Sequence, residues 1–135
     1  MTSTDAGHTE IESAVGEVLD RLQQTWTAND PDAVADLYTE DATLVMTGVF
    51  LNGREDIRKF MADAFAGPLV GSRPHNVPRL IRRVGADTAV VNSDIGIVLA
   101  GSDGVAEGDE RVATWVLTRR DGRWLIAAYH NCPVG

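Results

Sequence analysis

The chain has 135 residues, a formal net charge of −8, 44% hydrophobic and 24% charged residues, and one cysteine. That is the length and balance of one globular domain, which excludes a disordered chain. The acidic surplus repels phosphate backbones and anionic lipid, so neither nucleic acid nor a membrane surface is an expected partner.

Met1 to Gly7 is polar, with no basic start and no apolar core, and reads as a tail rather than a signal peptide. We expect a disordered tail over 1–9 and a single domain over 10–135. No apolar run approaches the ~20 residues of a membrane span. Cys132 has no partner for an internal disulfide, which fits a cytoplasmic location.

Ile11, Val15, Val18, Leu22 and Trp26 recur at helical spacing and predict a first helix with one buried face. Asp30 is placed to cap a second, short helix with Pro31 at its first position, burying Val34, Leu37 and Tyr38. Ala42 to Met46 and Val49 to Leu51 are short β-type runs around Gly48. After Asn52-Gly53, Ile57, Phe60, Met61, Ala64 and Phe65 predict a third helix, broken by Gly67-Pro68. Strands are expected over 75–84, 88–99, 110–118 and 123–131. Helices first and strands afterwards predict an α+β cone: three N-terminal helices on the concave face of a strongly curved antiparallel sheet.

Asp121-Gly122 between apolar strands marks a two-residue hairpin turn. Regular pairing from it sets Leu117 against Ile126, Trp115 against Ala128 and Ala113 against His130. Arg111, Trp115 and His130 then share one face with Trp124, and the bulk of the two indoles turns that face inward. In the preceding strand, the row Ala89, Val91, Ser93, Ile95 and Ile97 also turns inward, leaving Asn92 and Asp94 outside. A one-residue slip would reverse these faces. Both sheet faces carry apolar residues, which predicts a homodimer through the outer one.

Trp26 to Asp32, Leu37 to Ala42 and Asn52 to Ile57, followed by Arg120 to Trp124 and Ala128 to Asn131, resemble the nuclear transport factor 2-like superfamily over nearly the whole chain. Thr114-Trp115-Val116-Leu117 and His130-Asn131 look most like the SgcJ/EcaC group of SnoaL-like proteins, which occur in enediyne antibiotic gene clusters. The resemblance implies a bacterial protein that binds a polyene or polyketide intermediate in an apolar pocket. Its activity would be a cofactor-independent isomerisation, cyclisation or dehydration. A non-catalytic binding, docking or dimerisation protein is the alternative.

On the predicted faces His130 is the candidate proton carrier, or else a core histidine satisfied by a neighbour. Arg111 at the pocket mouth is a forked donor for a carboxylate or enolate. Trp115, Trp26, Phe60, Phe50 and Met46 would supply the apolar wall, Tyr38 a hydroxyl, and His75 a second imidazole. No metal or other cofactor is expected, since the histidines lack a third ligand at metal-binding spacing and no glycine-rich nucleotide loop is present.

Overall fold

The longest apolar stripe of the sequence becomes the longest element. The computed structural model describes the backbone of residues 2–134 and the side chains of residues 10–134. In it α1 spans Thr2–Thr27 and buries Ile11, Val15, Val18 and Leu22 along one face. The stretch expected as a disordered tail enters α1 from Thr2; Met1 and the side chains of residues 2–9 lie outside the described residues. The helix ends where Asn29 turns left-handed, at φ 55°, with its side-chain amide donating to the Trp26 carbonyl at 3.0 Å. Asn is among the few side chains that tolerate this backbone.

Asp30 caps the next helix, α2 (Pro31–Ala35), by accepting from the Ala33 amide at 3.1 Å. α2 is one turn shorter than the sequence implies, and Tyr38 opens β1 (Tyr38–Met46) instead. A hairpin leads to β2 (Val49–Asn52) and then α3 (Arg54–Phe65). Arg54 donates from Nε and Nη2 to the Tyr38 carbonyl at 2.9 and 2.7 Å, tying the start of β1 to the start of α3.

The remaining strands are β3 (Arg73–Arg83), β4 (Thr88–Val98), β5 (Arg111–Arg120) and β6 (Arg123–Pro133). They join the first two in one sheet of order β2-β1-β6-β5-β4-β3. The expectation of a purely antiparallel sheet needs correcting, because β1 and β6 run parallel while the other pairs are antiparallel. The chain between β1 and β6, through β2, α3 and the strands β3 to β5, forms the long connection that a parallel pair requires. Pro74 and Pro78 fall on β3, an edge strand where a missing amide does least harm to the ladder.

The helices pack on one face of the sheet. Val15 and Leu22 of α1 and Ile57 and Met61 of α3 meet Val91, Leu117 and Ile126 of the inner sheet face in one core. Among the described residues no helix is long and apolar enough to cross a membrane.

Strand parity follows the sequence as far as the last hairpin. Ala89, Val91 and Ser93 of β4 and Ala113, Trp115 and Leu117 of β5 are buried on the inner face. Asp121 and Gly122 make the turn, both with positive φ. From there Arg120 pairs with Arg123 and Leu117 with Ile126, as regular pairing requires. The next pair is Val116 with Ala128, so Ala127 is an extra residue in β6, a β-bulge.

That single insertion inverts the faces beyond it. Trp115 now pairs with Tyr129, Thr114 with His130 and Ala113 with Asn131. Asn131 is buried on the inner face, and His130 is exposed on the outer one. A period of two makes every later side chain change sides when one residue is added.

Candidate functional site

Between the helices and the inner sheet face lies a cavity of about 370 Å³. This is the size of a small-molecule site. Trp115, Arg111, Tyr38, Trp26, Phe60 and Met46, all expected from the sequence, line it, and His75, also expected, borders it from an exposed position on the edge strand β3. Phe50 does not; it is 66% exposed. His130 is the central correction. The bulge at Ala127 turns it outward beside Thr114, away from the cavity that it was expected to share with Trp115. His75 and His130 therefore do not meet.

Two side chains that the sequence reading left outside replace it. Tyr129 stacks obliquely against Trp115 with ring centroids 4.2 Å apart. Asn131 stands two residues further along the same face and donates from Nδ2 to the Tyr129 hydroxyl at 2.7 Å. Arg111 donates from Nη1 to Asn131 Oδ1 at 3.3 Å. The amide is thus oriented by a cation on one side and fills an acceptor position of the phenol on the other. The Tyr129 hydroxyl hydrogen is left to donate elsewhere.

Burial pushes the Tyr129 phenol up to about 12, against the opposing pull of the Asn131 hydrogen bond and the Arg111 charge. Burial raises Tyr38 still further, and the neighbouring Tyr129 adds to the shift. Both phenols are therefore neutral donors at physiological pH. Desolvation is the dominant cause in each case, because an ionised phenolate cannot be solvated there.

The rest of the wall is mostly apolar and braced. Trp26 donates from Nε1 to Ser72 Oγ at 3.0 Å, Ser72 donates on to the Leu69 carbonyl at 2.6 Å, and the indole meets Phe65 edge-on at 5.6 Å. Trp115 Nε1 and Asn76 Oδ1, both from cavity-lining residues, are buried without hydrogen-bond partners among the described residues. Asp109, exposed in the β4–β5 connection, is the carboxylate that lines the cavity.

Asn92 and Asp94 lie outside, as the parity of β4 predicts. Asn92 Nδ2 donates to Thr114 Oγ1 at 3.1 Å, and Asp94 pairs with Arg79 at 2.9 Å. Among the described residues no group of three or more His, Cys, Asp or Glu is arranged to hold a metal ion.

A six-stranded sheet with helices on one face and a mostly apolar chamber between them gives the chain an α+β, nuclear transport factor 2-like fold. The family model described as the SnoaL-like domain matches residues 7–130, and the chain belongs to that family. No curated protein matches the sequence.

Solved structures share the architecture at low identity. A domain of unknown function with a cystatin-like fold from Nostoc punctiforme is 23% identical, with a TM-score of 0.84, over 94% of this chain and 79% of that one. A nuclear transport factor 2-like protein from Novosphingobium aromaticivorans is 16% identical, with a TM-score of 0.79, over 98% and 87%. A protein from the same organism, described as a candidate scytalone dehydratase, is 17% identical, with a TM-score of 0.76, over 100% and 89%. At these identities the likeness is one of fold.

Proposed function

We propose that the protein binds a largely apolar, oxygen-bearing small molecule in the cavity and moves a proton on it. The observation that carries this reading is the Arg111–Asn131–Tyr129 hydrogen-bonded row set into a mostly apolar wall. Oriented donors in a water-poor site stabilise negative charge developing on a carbonyl oxygen. The Tyr129 hydroxyl, with Arg111 behind it, is the oxyanion donor, and Tyr38 is a second neutral donor. His75, exposed at the cavity's edge, is the imidazole that borders it among the described residues, and an imidazole gives and takes protons near neutral pH. It would take the proton next to the carbonyl and return it elsewhere, as an isomerisation, cyclisation or dehydration requires.

The finer assignment is to a polyketide or polyene intermediate of bacterial antibiotic biosynthesis, of the enediyne kind. It rests on the resemblance of Thr114–Leu117 and His130-Asn131 to the SgcJ/EcaC group, and the candidate dehydratase of the same fold is consistent with it. Cofactor independence and a cytoplasmic site of action belong to the same proposal. A homodimer through the outer sheet face, where Phe50, Val45, Val77 and Leu80 are exposed, completes it. A monomer mass in sedimentation at micromolar concentration would remove that last part.

The test is deuterium exchange at the carbon beside the carbonyl of 2-tetralone, an enolisable aromatic ketone, followed by NMR. The wild-type protein should accelerate it. His75→Ala should remove about 100-fold or more of the acceleration, and Tyr129→Phe about tenfold or more. Binding without acceleration would favour the second reading, a non-catalytic carrier of the same ligand. What speaks for that reading is the exposure of His75 and its lack of an ion-paired carboxylate among the described residues; Asp94, two residues along β4 from its ladder partner Gly96, is committed to Arg79.

A further inference from the structure

A second hollow, of about 540 Å³, opens beside the apolar cavity, and Arg73, Asp103 and Glu110 help to line it. Gln23, Pro74, His75 and Asn76 border both spaces, so the first residues of β3 form a shared wall. The connection between β4 and β5, residues 99–110, borders both as well. Leu99 and Asp109 belong to the first space, Asp103 and Glu110 to the second. This loop is seated by Val105 against Gly96, where an added Cβ would come within 2.6 Å of both Val105 methyl carbons. Any larger residue at 96 would displace it.

The two spaces differ in the ligand chemistry they suit. The first is walled mostly by aromatic and aliphatic side chains, the second more by donors and acceptors of mixed charge. Arg73 repels a cation, and Asp103 and Glu110 repel an anion, so a neutral group bearing hydroxyls fits best. Asn76, whose Oδ1 is buried without a partner among the described residues, borders both spaces and would accept from such a hydroxyl once its side chain turns toward it. We propose that the ligand is an amphiphile: an apolar ring or polyene body in the first cavity and a neutral, polyhydroxylated appendage of the sugar class in the second. This rests on the small-molecule reading above and adds the nature of the ligand's other half.

Calorimetric titration with 4-methylumbelliferone and with its β-glucoside separates the two claims. The glucoside should bind at least as tightly as the free ring compound. Combining Asp103→Ala with Glu110→Ala should weaken the glucoside about tenfold, the loss of one or two hydrogen bonds, and the ring compound less than about twofold. Both positions are exposed, so the doubly substituted chain keeps its core. If the ring compound binds but the glucoside is rejected, or is indifferent to the double substitution, the second subsite is wrong and the first cavity stands. If neither compound binds, both readings fall together.

Discussion

The two faces of β5 and β6 are made from alternating residues of the same strands, yet they do opposite things. Inside, Trp115, Tyr129 and Asn131 form a packed, hydrogen-bonded wall. Outside, Thr114 and His130 stand in partly or fully exposed positions. What separates a candidate site residue from a surface histidine is one inserted alanine, Ala127, between Ile126 and Ala128. The chemistry of a sheet face is thus set by register as much as by which residues are present.

The most drastic way to break this contrast is to delete Ala127. Regular pairing would then turn His130 inward and expel Tyr129 and Asn131. We expect a loss of roughly 5 kcal/mol or more, seen as an unfolded or insoluble chain, since several buried side chains change places at once. Near-wild-type stability in urea would show that the bulge does not fix the faces.

A smaller effect comes from Ile126→Ala, just before the bulge at a fully buried position. It should cost about 3 kcal/mol in urea denaturation, against less than about 1 for Phe50→Ala on the exposed side. Equal costs would erase the distinction between the faces.

Alkaline pH sharpens the comparison further. A phenol whose folded-state value is raised contributes its stability fully below about 10, where neither state ionises it. That contribution is lost as pH climbs from about 10 toward about 12, because the unfolded chain releases the proton first. Tyr129→Phe should flatten part of this decline in denaturation series across the range, and an unchanged slope would place the phenol in water. The smallest expected effect is His130→Ala, within about 0.5 kcal/mol of wild type and without loss of ligand binding.

Most of the architecture was legible because its signals are local or periodic. The α1 stripe, the Asp30-Pro31 start of α2 and the Asp121-Gly122 turn each specify a conformation through a few neighbouring residues. The apolar lining was legible for the same reason: Trp26, Phe60 and Trp115 lie on the buried stripes of their elements. Two features were not. The parallel pairing of β1 with β6 depends on how the chain closes over more than 80 residues, as the pairing of Val45 with His130 shows. The bulge depends on a small residue being tolerated unpaired, and Ala127-Ala128 offers only the faintest sign of that. Polar Tyr129 and Asn131, two apart and level with Trp115, were the available clue to the inverted face.

The central claim is that Tyr129, and not His130, lies against Trp115. Nuclear Overhauser spectroscopy tests it directly on the assigned protein in solution. Rings with centroids 4.2 Å apart should give strong cross-peaks between the Trp115 indole and the Tyr129 phenol, and none between that indole and the His130 imidazole. Cross-peaks from Trp115 to His130, with Tyr129 silent, would contradict the account.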